Sequence, residues 1–494
     1  MTELSAAFAH ILTPVSMFYV ILGVTLGITV GAIPGLTGSM LIALTIPLTF
    51  YMESTLALIL LVSMYVGAVS GGLITASLLR IPGTPASVVT TFDGYPMAKG
   101  GRPGRAIGIG IMSSFVGGCI SWLFLVSLSP PLAKIALKFG PFELFALVLM
   151  ALVLIASVGQ GSFLRGLISG FLGLLVACPG VDPVLGTLRL DFSIDELAGG
   201  FGLLPVLIGL FGISQIINDI MEIELKVERI PLTFSGMFLS LQDLKKQAVN
   251  LIRSSVIGTW VGILPGIGAN IGSILAYSAA KNSSKTPEKF GTGTDEGVVA
   301  SEAANNATIG GALIPLITMG IPGSLIDAIL LGALILHDVT PGPLLFRDHP
   351  GLAYGIIASA LVANILMFFI MLGASFGIAR LVDIPKSYLV PTILAFCVVG
   401  TFALNNRIFD VWVMFLFGLV GYGLERARVP LGPFVIGIIL SPIAEVQLRS
   451  GLMLSGGTLL PLVTRPIALA FVIISLLTLV WTVYQEMFAH KRNR

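Results

Sequence analysis

Long apolar runs, cut at intervals by glycine and proline, dominate the chain. Candidates for membrane spans lie at 14–35, 54–79, 106–129, 140–160, 199–219, 254–277, 351–380, 387–403, 408–424 and 457–484, because a spanning helix needs about 20 mainly apolar residues. Shorter apolar runs occupy 36–46, 163–178, 304–320, 324–336 and 431–443. None alternates apolar with polar residues, as the strands of an outer-membrane barrel do. The pattern predicts an all-α integral membrane protein: a polytopic bundle of roughly 12 spans, some of them broken or re-entrant.

Two breaks in this pattern are copies of each other. Gly27-Ile-Thr-Val-Gly31-Ala-Ile-Pro34-Gly35 matches Gly258-Thr-Trp-Val-Gly262-Ile-Leu-Pro265-Gly266, and all three glycines and the proline keep one offset of 231 residues. A second pair, ending in Arg80-Ile81-Pro82-Gly83-Thr84 and Gly320-Ile321-Pro322-Gly323-Ser324, repeats at an offset of 240. The polar stretch Lys281–Glu296 takes up the difference. Two homologous halves, 1–220 and 251–494, are therefore expected on either side of a charged connecting segment, 221–250, and they are expected to be inverted. The run 36–46 after the first break holds 11 residues. As a helix it reaches about 16 Å, roughly half the hydrocarbon thickness, so it cannot span. Paired short segments interrupted by Gly or Pro mark binding sites in carriers, although one GxxxG or one proline kink alone marks only helix packing.

Composition agrees with the bilayer. Of the residues, 55% are apolar and only 11% charged, where soluble domains carry roughly 25% charged residues. A net charge of +2 gives no basis for binding nucleic acid. The N-terminus lacks a basic region followed by a cleavage site, so the first apolar stretch is expected to remain as a helix. Cys119, Cys178 and Cys397 are scattered through apolar runs, as packing residues are. The basic flanks, Lys99, Arg102 and Arg105 in one loop and His490–Arg494 in the tail, are expected on the cytoplasmic side. The loop from Asp93 to Arg105 is expected to be a structured turn. No GxxxxGK[ST] or HExxH occurs, and the four histidines form no ligand cluster. ATP hydrolysis by a P-loop and zinc-dependent proteolysis of the HExxH kind lose their support; the chain is expected not to be an enzyme and to need no cofactor beyond a coupling ion.

The candidate chemistry sits at the breaks. Thr37, Ser39, Thr84, Ser87, Asn270 and Ser324, with Ser273, offer hydroxyl and amide groups that can bond a carboxylate or ligate Na⁺ without burying a fixed charge. Substrate contacts are expected from the first six and from Arg80, which could instead snorkel to the interface. Cation ligands are expected among Gly35, Thr37, Gly266, Asn270, Asn305, Asn306 and Asp327, since freed carbonyls and side-chain oxygens collect there. Glu302 is either part of that ion path or an interfacial residue.

These motifs resemble the large membrane subunit of the tripartite tricarboxylate transporters, the TctA-type permeases. The resemblance rests on Gly31-Ala-Ile-Pro-Gly-Leu-Thr37, Ile81-Pro-Gly-Thr-Pro-Ala-Ser87 with Asp93-Gly-Tyr-Pro96, Pro205-Val-Leu-Ile-Gly-Leu-Phe211, Gly262-Ile-Leu-Pro-Gly266 and Gly320-Ile-Pro-Gly-Ser324. It covers most of both halves; the last hundred or so residues add little to it. The resemblance implies a secondary transporter of the bacterial inner membrane that imports di- or tricarboxylates by Na⁺ or H⁺ symport. It also implies a small four-span membrane subunit and a periplasmic solute-binding protein as partners. The alternative is a stand-alone permease or channel that needs no binding protein.

Overall fold

Prolines at the first helical turns and hydroxyl caps set where the helices begin. The computed structural model describes residues 2–33, 35–158, 163–221, 230–265, 268–381 and 386–492. Its first part runs α1 (Thr2–Ile11), α2 (Pro14–Gly31), α3 (Gly38–Thr49), α4 (Ser54–Leu79), α5 (Thr90–Lys99), α6 (Pro103–Ala136), α7 (Pro141–Val158), α8 (Phe163–Val176), α9 (Leu203–Ile208) and α10 (Ser214–Met221). A π turn over Gly209–Ile213 joins α9 to α10 in one rod. A small antiparallel pair of strands, β1 (Gly180–Val181) and β2 (Leu188–Arg189), follows α8. The second part runs α11 (Leu241–Ile263), α12 (Gly268–Ser283), α13 (Asp295–Met319), α14 (Leu325–Leu336), α15 (Pro343–Asp348), α16 (Pro350–Leu381), α17 (Lys386–Asn405), α18 (Ile408–Arg426), α19 (Leu431–Leu454), α20 (Pro461–Thr464) and α21 (Pro466–Arg492).

Among the described residues, eight helical rods are long and apolar enough to cross a membrane, and five shorter apolar helices accompany them. Phe18, Phe369, Trp412 and Leu477 are exposed on the outside of the bundle, as lipid-facing residues are. The chain is an all-α polytopic membrane protein. Residues Asp93–Lys99, expected as part of a turn, belong to α5, and α11 already begins at Leu241, inside the charged segment.

The repeated glycines have one physical purpose in both places. A Cβ on Gly27 would stand 2.4 Å from the Met64 carbonyl oxygen, and one on Gly31 would stand 2.2 Å from that of Ala68. Gly258 and Gly262 meet the carbonyls of Ala304 and Thr308 at 2.3 and 2.5 Å, each partner 240 residues beyond its counterpart. Thus α2 lies parallel to α4, and α11 parallel to α13, at a spacing that no side chain allows. The second motif closes onto the first in the same way: Gly83 faces the Gly31 carbonyl, and Gly323 that of Gly262. Arg80 and Gly320 end their helices in the same left-handed conformation, with φ of 61° and 70°.

The two sets run in opposite directions. The end of α3 meets the end of α14, where Thr49 Oγ1 lies 3.2 Å from His337 Nε2. The end of α12 instead joins α5, through Tyr277 donating to Asp93 at 2.8 Å. Asp93, fully buried, also accepts the backbone N–H groups of Gly291, Gly293 and Thr294 at 2.8–3.0 Å. Arg105 closes this face by pairing with Asp243 and Asp295 at 2.9 and 2.6 Å. The Arg105 and His337 faces are separated by α13, whose 25 residues reach about 37 Å. On the His337 side, Asp182 binds Arg449, and Arg189 bridges to Glu445 at 2.6 Å. The N–H groups of Leu185 and Val184, with Arg449, hold the Asp182 carboxyl below its usual range.

Two outcomes follow for this architecture. Gly31→Val and Gly262→Val each force backbones apart, and each is expected to lower stability by about 1–3 kcal/mol, read as the thermal midpoint in detergent. Cysteines at the exposed Tyr51 and Asp338 should react with an impermeant thiol reagent from one side of a vesicle, and one at Lys285 from the other. Labelling of all three from the same side would contradict the opposed directions.

Candidate functional site

The chain breaks of both sets open onto one cavity of about 810 Å³, within the usual size of small-molecule sites. The starts of α3 and α12 and the turns at Thr84 and Ser324 form its inner wall. Thr37, Ser39, Thr84, Asn270 and Ser324 all face it, so five of the seven expected substrate contacts are brought together. They come from four segments up to 287 residues apart in sequence. Convergence is possible because each interrupted helix begins here and leaves toward its own face.

Local hydrogen bonding separates these residues by role. Thr37 caps α3, accepting from the Met40 N–H at 3.2 Å and lying 2.9 Å from Ser39 Oγ. Ser324 caps α14 through the Asp327 N–H and lies 3.3 Å from the Tyr65 hydroxyl. Ser87 is consumed by its own turn: it accepts from the Thr84 N–H at 3.1 Å and donates to the Thr84 carbonyl at 2.8 Å. The Ser87 N–H also goes to that carbonyl, at 3.0 Å, which leaves the adjacent Thr84 hydroxyl without a well-formed partner. Asn270 Oδ1 is likewise unpartnered.

The remaining expected residues lie apart from the cavity wall. Asn305 and Asp327 are fully buried; the Asn305 amide lies beside the Glu302 carboxylate and the Asp327 carboxyl beside Ser324, and neither contact is a well-formed hydrogen bond. Asn306 is engaged in packing polar groups: its Oδ1 accepts from Ser70 at 2.7 Å and its Nδ2 donates to the Glu302 carbonyl. Gly35 has a left-handed φ of 91° and packs against the Asp219 carboxylate. Arg80 is exposed outside the cavity, with its guanidinium over the Tyr95 ring. Glu302 is no interfacial residue; it is fully buried and accepts from Thr90 at 2.5 Å and Ser114 at 3.0 Å. Gly266 lies outside the described residues.

The outer wall was not expected. Arg165 and Arg428, with Glu425 and Gln215, come from α8, α10 and the α18–α19 junction. Pro430, Gly432 and Pro433 mark that junction in the sequence as another interrupted segment, a signal available from the same reasoning. The arginines give the cavity cationic groups suited to carboxylates.

A helical membrane protein whose interrupted, oppositely directed segments enclose a cavity has the architecture of a membrane transporter. Within that class, the chain belongs to the tripartite tricarboxylate transporter TctA family, whose model matches residues 17–436. It is 36% identical over 500 residues to an uncharacterized 52.8 kDa protein in the TAR-I ttuC' 3' region of Agrobacterium vitis, covering 99% of both chains. An uncharacterized protein in the TAR-II ttuC' 3' region of the same organism is 39% identical over 211 residues, 43% of this chain and 87% of that one. No solved structure matches.

The split between capping and cavity groups is testable. Ser87→Ala is expected to cost about 1 kcal/mol of stability through loss of its turn. Its substrate half-saturation should stay within about twofold, a change below 0.5 kcal/mol. A large affinity change with an unaltered thermal midpoint would place Ser87 in the site instead.

Proposed function

We propose that this chain is the large permease subunit of a binding-protein-dependent secondary transporter that imports di- or tricarboxylates by Na⁺ or H⁺ symport. The observation that carries this reading is the single cavity between two opposed sets of interrupted helices, in a chain of the TctA family. Its wall offers hydroxyls and amides on the inner side and arginines on the outer side. An extended polycarboxylate can take charge-assisted bonds from one wall and neutral hydrogen bonds from the other.

The partners are a small four-span membrane subunit and a periplasmic binding protein that delivers the ligand, and the site of action is the bacterial inner membrane. The two halves act as inverted repeats about the cavity, so that rocking or sliding of one set against the other exposes it to each side in turn. The Ser324 turn faces the ligand, while Arg165 and Arg428 neutralise its charge. Arg80 has no part in this reading.

Uptake of labelled carboxylates into vesicles holding this chain and the small subunit tests it. Uptake should require the binding protein, stop when the Na⁺ and H⁺ gradients are collapsed, and ignore ATP. Uptake that persists without any ion gradient, or that needs no binding protein, would favour a channel or a stand-alone permease.

A further inference from the structure

The two polar turns of the cavity are related by the 240-residue offset, but what faces them differs. Ser324 faces Tyr65, whose hydroxyl lies 3.3 Å away. The same offset carries Ser324 back to Thr84 and Tyr65 forward to Asn305. Asparagine is several ångströms shorter than tyrosine, and Asn305 makes no hydrogen bond to Thr84 of the kind that brings the Tyr65 phenol to Ser324. At this turn Asn305 Oδ1, Thr84 Oγ1 and Asn270 Oδ1 lack a well-formed hydrogen bond. Asn305 is fully buried and Thr84 is 9% exposed. Orphaned buried polar groups are costly, and such a cluster in one spot calls for an occupant.

Adjacent contacts place the three residues together. Ser273 Oγ donates to the Ser301 carbonyl at 3.2 Å, and Thr90 Oγ1 lies 3.1 Å from Ser301 Oγ. Asn270 and Asn305 lie roughly one turn farther along α12 and α13, toward the cavity, and Thr84 begins the Pro85–Val88 turn, which packs on both helices.

We infer that Asn305, Thr84 and Asn270 form a site for a small dehydrated monovalent cation, Na⁺ in first place. The assignment rests on the symport reading and says where its coupling ion sits. Three neutral oxygens are a hard-cation donor set. Glu302 lies one turn back from Asn305 on α13, fully buried, bonded to hydroxyls of Thr90 and Ser114 and with no cationic partner among the described residues. Its carboxylate supplies the counter-charge for a cation and disfavours a carboxylate at the same spot. The Ser324–Tyr65 side, where the phenol occupies the equivalent place, is left to the substrate.

Titration of the purified protein with ²²Na⁺, together with Na⁺-dependent uptake, tests the assignment. Asn305→Ala and Thr84→Val, the second nearly isosteric, should each raise the Na⁺ half-saturation concentration at least about tenfold, one ligand's worth at 1.4 kcal/mol. Carboxylate affinity at saturating Na⁺ should fall far less, which also shows that the variants are folded. Asn305→Tyr, which restores the residue found at the equivalent place, should abolish Na⁺ binding. Na⁺-dependent uptake with an unchanged half-saturation in Asn305→Ala and Thr84→Val overturns this site and leaves the symport reading standing. Saturable Na⁺ binding by Asn305→Tyr overturns it as well. Wild-type uptake that ignores both Na⁺ and H⁺ gradients overturns the symport reading, and the coupling site with it.

Discussion

A bilayer offers no water to unpaired backbone groups, and this constraint governs the rest of the structure. A helix can stop in the hydrocarbon only where protein or a polar cavity takes over its freed N–H and C=O groups. This chain ends α2 at Gly31, α4 at Leu79, α11 at Ile263 and α13 at Met319, and it answers the cost in two ways. Hydroxyl caps at Thr37 and Ser324 accept the first N–H groups of α3 and α14. The segments that follow the breaks gather around one cavity, whose wall carries the polar side chains of Thr37, Ser39, Thr84, Asn270 and Ser324.

Close helix contact makes this gathering possible. Gly27 and Gly31 let α2 lie on the carbonyls of α4, and Gly258 and Gly262 do the same for α11 on α13. With two pairs pressed together, the hairpins at Gly83 and Gly323 fold back over the ends of α2 and α11. Polar clasps then fix the outer faces: Asp93 and Arg105 on one side, Asp182 with Arg189 and Arg449 on the other. These charged groups lie away from the hydrocarbon centre, where their pairing is least costly. Two buried carboxylates without a basic partner among the described residues, Glu302 and Asp327, lie near the two polar turns.

Near-symmetry with a difference is what gives the site its chemistry. Both turns present a hydroxyl, Thr84 and Ser324, but Tyr65 fills its place and Asn305 does not. Conversely, Asp327 corresponds to Ser87, and Glu302 to Val62. Each side therefore has a carboxylate, carried on a different segment. A perfectly repeated site would bind two copies of one ligand, whereas a diverged one can hold an ion and a substrate together.

The sequence by itself determined the solvent, the helical class and the breaks, because hydrophobic run length and Pro-Gly chemistry act locally. It also determined the repeat, since an offset needs no coordinates. The resemblance to the TctA family, carried by the same Pro-Gly motifs, agrees with the family match. What sequence reasoning could not decide was the company each residue keeps. Thr84 and Ser87 read alike as exposed hydroxyls near a break, yet the turn consumes Ser87 and leaves Thr84 unpaired. Asn305 and Asn306 are neighbours, but a 100° step on α13 sends Asn306 to Ser70 and leaves Asn305 without a well-formed hydrogen bond. Arg80 seemed placed for a carboxylate, while the arginines that reach the cavity, Arg165 and Arg428, come from helices whose packing no local pattern specifies. Those choices depend on which faces of distant helices meet, and only the tertiary structure settles them.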